Sequence, residues 1–254
     1  MDWLVSLPPA TFALAILVGL LAGTIKGMVG FAMPMIMISG LSTVMAPDLA
    51  LAALILPTLM TNGVQALRQG WREAWASVRR YRVFLGVGFV LLVASAQLVA
   101  VLPQHVLFLM IGVPISLFAI MLLAGWSPKL ANRSMRVEAG IGAFAGFVGG
   151  MSGVWGPPTV AYLTALDTPK QEQMRVQGVI YGLGAVALFG AHLQSGILSA
   201  ATLPLSLFMI VPAMVGMWIG LRLHDRVDQS VFRKVTLVVL VVAGLNLVRR
   251  GLLG

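Results

Sequence analysis

The sequence predicts an all-α integral membrane protein of two inverted repeats, each a broken-helix hairpin followed by three transmembrane helices. Three observations carry that reading. Hydrophobic residues fill 59% of 254 positions and charged residues only 10%, with a mean hydropathy of +0.97, so most of the chain needs lipid as its solvent. A glycine-rich segment recurs in the second half with its small residues at unchanged spacing. The basic residues sit in short clusters between apolar runs, which is how topology signals are arranged. A formal net charge of +9 could serve nucleic acid, but no single basic face is built, so no nucleic-acid partner is expected.

Backbone groups in lipid must be satisfied internally, which leaves helix bundles or closed barrels, and the runs here lack the alternation of barrel strands. The N-terminal stretch MDWLVSLPPATFALAILVGLLAG has no Lys or Arg before its apolar run. It lacks the n-region of a cleaved signal and is expected to stay as a membrane segment. There are no cysteines, so thiolate metal sites and redox chemistry are excluded. No cofactor and no metal site is expected.

The first repeat is assigned to residues 1–127, with a hairpin over about 10–45 and spans at about 49–67, 83–101 and 105–125. The second takes residues 128–254, with a hairpin over about 139–166 and spans at about 174–191, 201–221 and 232–248. Several runs are shorter than the roughly 20 residues a crossing needs, and the short ones are paired around Gly-rich breaks. GLLAGTIKGMVGFAMPM from Gly19 to Met35 aligns with GAFAGFVGGMSGVWGPP from Gly142 to Pro158 at seven of seventeen positions. These are Gly19/Gly142, Ala22/Ala145, Gly23/Gly146, Gly27/Gly150, Met28/Met151, Gly30/Gly153 and Pro34/Pro157. Corresponding Gly/Pro-interrupted segments in two halves are the sequence mark of a transporter site, because unwound backbone at membrane depth is tolerated around a cavity or inside protein.

Charge decides how the broken segments thread. Eight single crossings would put ten Lys and Arg on one side and six on the other; two hairpins give fourteen against two, with Lys26 left inside the first hairpin. The positive-inside rule selects the hairpins, which places the basic loops in the cytoplasm and makes the repeats inverted. Arg249 and Arg250 are the exception, and they leave the side of the C-terminus open.

Lys26 is the one charged residue well within an apolar run. Placing an ammonium near the bilayer centre costs about 2.5–3.5 kcal/mol on insertion scales, so the default reading is functional, with snorkelling to an interface as the alternative. Around it, Gly27, Gly30 and Pro34 form one tip, and Ser152, Gly153, Trp155, Gly156, Pro157 and Thr159 the other. Exposed backbone N–H groups at such breaks, with a cation nearby, make an anion site. Asn62 and Gln65 in the first half, and Gln177 and Tyr181 in the second, are polar residues in apolar stretches. They serve either the substrate or helix-to-helix hydrogen bonds. Arg175 near a helix start is a cytoplasmic gate or a headgroup anchor. The expected substrate-binding set is therefore Lys26, Gly27, Gly30, Pro34, Asn62, Ser152, Gly153, Trp155, Gly156, Pro157, Thr159, Gln177 and Tyr181. All eight acids and His105, His192 and His224 fall in loops or at segment ends, so no buried carboxylate is expected as a proton relay. An anion leaving a cell needs none, since an inside-negative potential favours exit by about 2.3 kcal/mol per charge per 100 mV.

At these residues the chain resembles the sulfite exporter TauE/SafE family. The similarity lies in GTIKGMVGFAMP at 23–34 and GGMSGVWGPPTVAYLTALDTPKQEQMR at 149–175, the second being similar to that family's Gly-Pro-Pro signature. The resemblance implies transport of a small anion, such as sulfite, an organosulfonate, thiosulfate or a small organic anion. With the paired breaks and the charge pattern it gives a secondary transporter of the cell (inner) membrane, read as an exporter, that works by alternating access of one half against the other. The partners expected are that anion and the lipid bilayer, and a homo-oligomer is compatible with the sequence. Two other classes compete. Gly150-Met151-Ser152-Gly153 followed by His192 resembles the Ser-His layout of rhomboid intramembrane proteases, with Ser152 as nucleophile and His192 as base. Glycine breaks lining a continuous pore would instead make an anion channel. The repeat explains the glycines without catalysis, so no catalytic residue is assigned.

Overall fold

In the computed structural model, residues 9–96, 103–125, 134–152, 156–194 and 196–253 are described. Among them the chain is helical with no strand: α1 Pro9–Val29, α2 Met33–Leu41, α3 Pro47–Leu67, α4 Trp71–Arg80, α5 Arg82–Ala96, α6 Gln104–Leu123, α7 Met135–Ser152, α8 Gly156–Ala165, α9 Lys170–Gln194, α10 Leu203–Arg226 and α11 Gln229–Leu253. Among the described residues, α1, α3, α9, α10 and α11 are long and apolar enough to cross a bilayer, and α5 is a shorter apolar helix. The protein is a multi-pass membrane protein. One element has no counterpart in the sequence reading: the basic stretch between the spans assigned to about 49–67 and 83–101 folds as α4.

The chain forms two compact units, residues 1–70 with 178–228 and residues 71–177 with 229–254. Each draws on both sequence repeats, and α9 contributes to both.

In the first unit, α1 and α10 pass backbone to backbone. A Cβ on Gly23 would lie 2.1 Å from the Ala213 carbonyl oxygen, and one on Gly27 2.3 Å from that of Met217. The relation is mutual, since a Cβ on Gly216 or Gly220 would lie 2.1 Å from the Leu20 or Thr24 oxygen. Small residues at four-residue spacing are how membrane helices gain dispersion contact where water supplies no driving force. Below this seam, Ala15, Val18, Met33, Met37, Leu41, Ala53, Leu205 and Met209 form a buried core.

The second unit uses the same device. A Cβ on Gly146 would lie 2.0 Å from the Gly88 oxygen and one on Gly142 2.7 Å from that of Phe84, which seats α7 on α5. On α6 and α11, a Cβ on Gly112 would lie 2.8 Å from the Gly244 oxygen. The turn from α8 to α9 is held by Gln229, which accepts from Lys170 N at 2.7 Å and donates to the Thr168 carbonyl at 3.1 Å.

Glu138 corrects an expectation. It stands in the first turn of α7, yet it is only 4% exposed. Its carboxylate accepts from the Phe84 backbone N–H at 3.3 Å, one of the donors that the start of α5 leaves without an intrahelical partner. A position near a segment end therefore did not mean exposure. Glu138, Gly142 and Gly146 share one face of α7 at four-residue spacing, and that face lies on α5.

Candidate functional site

The break between α1 and α2 is built by backbone that the sequence permits at few places. Gly30 has φ +88° and Ala32 φ +73°. The left-handed conformation costs an alanine roughly 1–2 kcal/mol and persists where its surroundings over-determine it. Pro34 follows in the first turn of α2, where its missing N–H costs nothing.

A helix that ends in a buried place strands carbonyl oxygens that no water can reach, and Val29 and Gly30 are buried. Here side chains from other helices serve them. Gln65 on α3 donates its amide N–H to the Gly30 oxygen at 3.0 Å. His224 in the last turn of α10 lies with Nδ1 3.2 Å from the Met28 oxygen, and since a carbonyl only accepts, that nitrogen carries the proton. Both side chains are buried, at 1% and 0% exposure.

One turn before the break, Lys26 is 1% exposed. Its ammonium donates to Asn62 Oδ1, and Asn62 Nδ2 in turn donates to the Tyr181 carbonyl on α9 at 3.2 Å. Among the described residues no carboxylate pairs with Lys26. An ammonium carries three donors, so this is a buried cation that one neutral amide holds in place. Asn62 belongs to a stripe on α3, with Thr58, Thr61 and Gln65 buried beside it. Thr61 is committed to the Pro57 carbonyl at 2.6 Å, whereas the Thr58 hydroxyl has no hydrogen-bond partner among the described residues.

The first unit thus gathers Lys26, Gly27, Gly30, Pro34, Asn62 and the Tyr181 backbone around one break. The remaining expected residues lie elsewhere in the chain: Ser152 ends α7, and Gly156 and Pro157 open α8. Thr159 and Gln177 are buried on α8 and α9 of the second unit. Gly153 and Trp155 lie outside the described residues. Arg175 is bound within its own unit, its Nε donating to Ser77 Oγ at 2.8 Å and Nη1 lying 3.5 Å from Glu73.

Sequence reasoning passed over Thr58, Thr61 and His224 as site residues. The first two had a legible signal, since 58, 61, 62 and 65 fall on one helical face. His224 had none, because a histidine at a segment end gives no sign that a broken helix elsewhere in the chain needs its N–H.

A family model described as Sulfite exporter TauE/SafE matches residues 15–247. No curated protein and no solved structure gives a significant match.

Proposed function

The chain belongs to the sulfite exporter TauE/SafE family, a family of membrane transporters and not of enzymes, and from that premise we propose that it exports a small oxyanion by alternating access with Lys26 as the cationic contact. Sulfite and organosulfonates are the substrate classes to which the reading extends. The observation that carries it is a buried ammonium held by a neutral amide, with no carboxylate beside it among the described residues. An uncompensated buried cation is costly and is retained where an anion is to be met. Thr58, four residues before Asn62 and so adjacent to it on α3, adds a hydroxyl donor for a second anion oxygen. The Asn62 amide fixes the ammonium and ties it to α9 through the Tyr181 carbonyl.

The basic loops face the cytoplasm of an inner membrane by the charge rule, so export runs down the potential and needs no proton relay. The serine-protease alternative on Ser152 and His192 has no place in a transporter family.

Flux in proteoliposomes under an imposed potential tests the reading, with sulfite, thiosulfate, a sulfonate and a small carboxylate offered to wild type and Lys26→Ala. Saturable flux of one anion that collapses in the variant is the expected result. Non-saturating flux favours a channel. Flux undiminished in Lys26→Ala removes the site, and no flux of any anion from monodisperse protein removes the substrate class.

A further inference from the structure

The helix α4, WREAWASVRR, lies outside the transport site and is built unlike any other element. At 100° per residue its apolar positions Trp71, Ala74, Trp75 and Val78 occupy one face, with Arg72 and Arg79 along one flank. Only part of the helix is covered by protein: Ala74 and Ser77 are buried, whereas Trp71 is 68% and Trp75 51% exposed. The covered side is fixed by ion pairs to the start of α9, Glu73 to Arg175 at 3.5 Å and Arg80 to Glu172 at 2.8 Å. Those pairs consume the one acid of α4 and one of its arginines. Arg72 and Arg79 have no carboxylate partner among the described residues, and the Arg79 guanidinium lies 5.7 Å from the Trp75 ring centroid.

Position identifies what covers the exposed side. α3 is a membrane-crossing helix that ends at Leu67, and α5 is an apolar helix that begins at Arg82. Four residues reach at most about 14 Å, so α4 begins at the level where α3 leaves the bilayer. At that depth the surroundings are phosphate headgroups above acyl chains. Indole rings prefer this boundary, and arginines beside them meet phosphate oxygens.

We infer that α4 is an interfacial lipid-binding helix, with Trp71 and Trp75 seated at the acyl boundary and Arg72 and Arg79 selecting anionic phospholipid headgroups. Charge complementarity picks the anionic class: two guanidiniums on one flank, with no carboxylate partner among the described residues and with Glu73 committed to Arg175, attract phosphate more strongly when the lipid carries net charge.

The test reconstitutes full-length protein into phosphatidylcholine vesicles doped, at equal mole fraction, with phosphatidylglycerol or phosphatidylcholine brominated near the headgroup end of the chain. The quenching signal of Trp71 and Trp75 is read as the difference between wild type and Trp71→Phe/Trp75→Phe. Stronger quenching by the brominated anionic lipid is expected, falling in Arg72→Gln/Arg79→Gln by about fivefold for each arginine removed. The arginine variant keeps both tryptophans and serves alone if the Phe variant does not fold. Equal quenching by the two lipids overturns the anionic selectivity. Absence of quenching overturns the lipid seat and leaves a water-facing surface for a protein partner.

Discussion

Two of the glycine-seamed helix pairs, α1 with α10 and α7 with α5, are built alike and equipped differently. Gly19, Gly23 and Gly27 recur as Gly142, Gly146 and Gly150, and Gly23 and Gly27 in one unit, like Gly142 and Gly146 in the other, let a helix lie directly on the backbone of a partner. The charge differs. Lys26 in the first copy corresponds to Gly149 in the second, and the second copy instead begins with the buried carboxylate of Glu138. The glycine pattern recurs, and a cation stands at this position in one copy of it and a glycine in the other. The carboxylate serves packing, since it answers a backbone N–H of α5; among the described residues the ammonium answers an amide side chain.

If the scaffold is shared, breaking the seam should be equally severe in both copies. Gly23→Ala and Gly146→Ala each put a methyl about 2 Å from a backbone oxygen, which rigid helices relieve only by separating. Each is expected to cost about 3 kcal/mol or more and to abolish the monodisperse peak in detergent. Gly63→Ala and Gly190→Ala meet nothing within 4 Å and should leave that peak and the melting temperature unchanged. Tolerance of Gly146→Ala alone would show that the second seam is looser and end the parallel.

The next largest effect separates the two copies. Lys26→Met keeps the length and burial of the side chain while deleting its charge, so the fold should hold. Losing a charge-assisted hydrogen bond to the substrate, about 1.5–3 kcal/mol, should lower anion flux about 10- to 100-fold. Thermal stability measured beside flux distinguishes the outcomes: equal loss of both makes Lys26 a packing residue.

How much of this was legible beforehand follows from what each residue signals locally. The first break came from Gly30 and Pro34, because few residues interrupt a helix and these do so by their own backbone chemistry; the corresponding Gly153 lies outside the described residues. The apolar runs at about 49–67, 174–191, 201–221 and 232–248 fall on the long apolar helices α3, α9, α10 and α11, and α1, read as one arm of a hairpin, is also long enough to cross. α4 was hidden because a run of arginines reads as a loop, although Trp71, Trp75 and Val78 already share a helical face. Lys26 announced itself by contrast with its surroundings. Glu138 and His224 stand near segment ends, where burial depends on which helix packs alongside, and that information is not local. The packing units were invisible for the same reason: each is assembled from pieces of both repeats, and a duplicated pattern does not say which copy of a helix pairs with which.

Asn62→Asp sharpens the contrast at smaller cost. It changes one atom group and leaves the side chain its size, but it gives Lys26 the carboxylate partner it lacks. If the ammonium works by meeting an anion, an internal counter-ion should compete with the substrate and lower flux about tenfold. Stability should change little, because the ion pair gained is offset by the lost Asn62 Nδ2 bond to the Tyr181 carbonyl and by the desolvation of a carboxylate. Asn62→Leu removes the holder without supplying a charge, and its flux should fall less than that of Asn62→Asp. The reverse order would mean that Asn62 contacts substrate through its amide and that Lys26 is secondary.

The smallest effect falls on the second copy. Glu138→Gln retains an acceptor for the Phe84 N–H and should cost less than about 1 kcal/mol, while Glu138→Leu strands that buried donor and should cost about 1–3 kcal/mol. Neither should alter the anion concentration at half-maximal flux, because the carboxylate is engaged by the start of α5. The pair separates packing from transport chemistry by charge alone: Gln and Glu share shape and acceptor, so any loss of flux in Glu138→Gln without loss of stability must come from the missing charge. That result would make the second copy an electrostatic participant, and the division of labour between the two copies would fail at its weaker half.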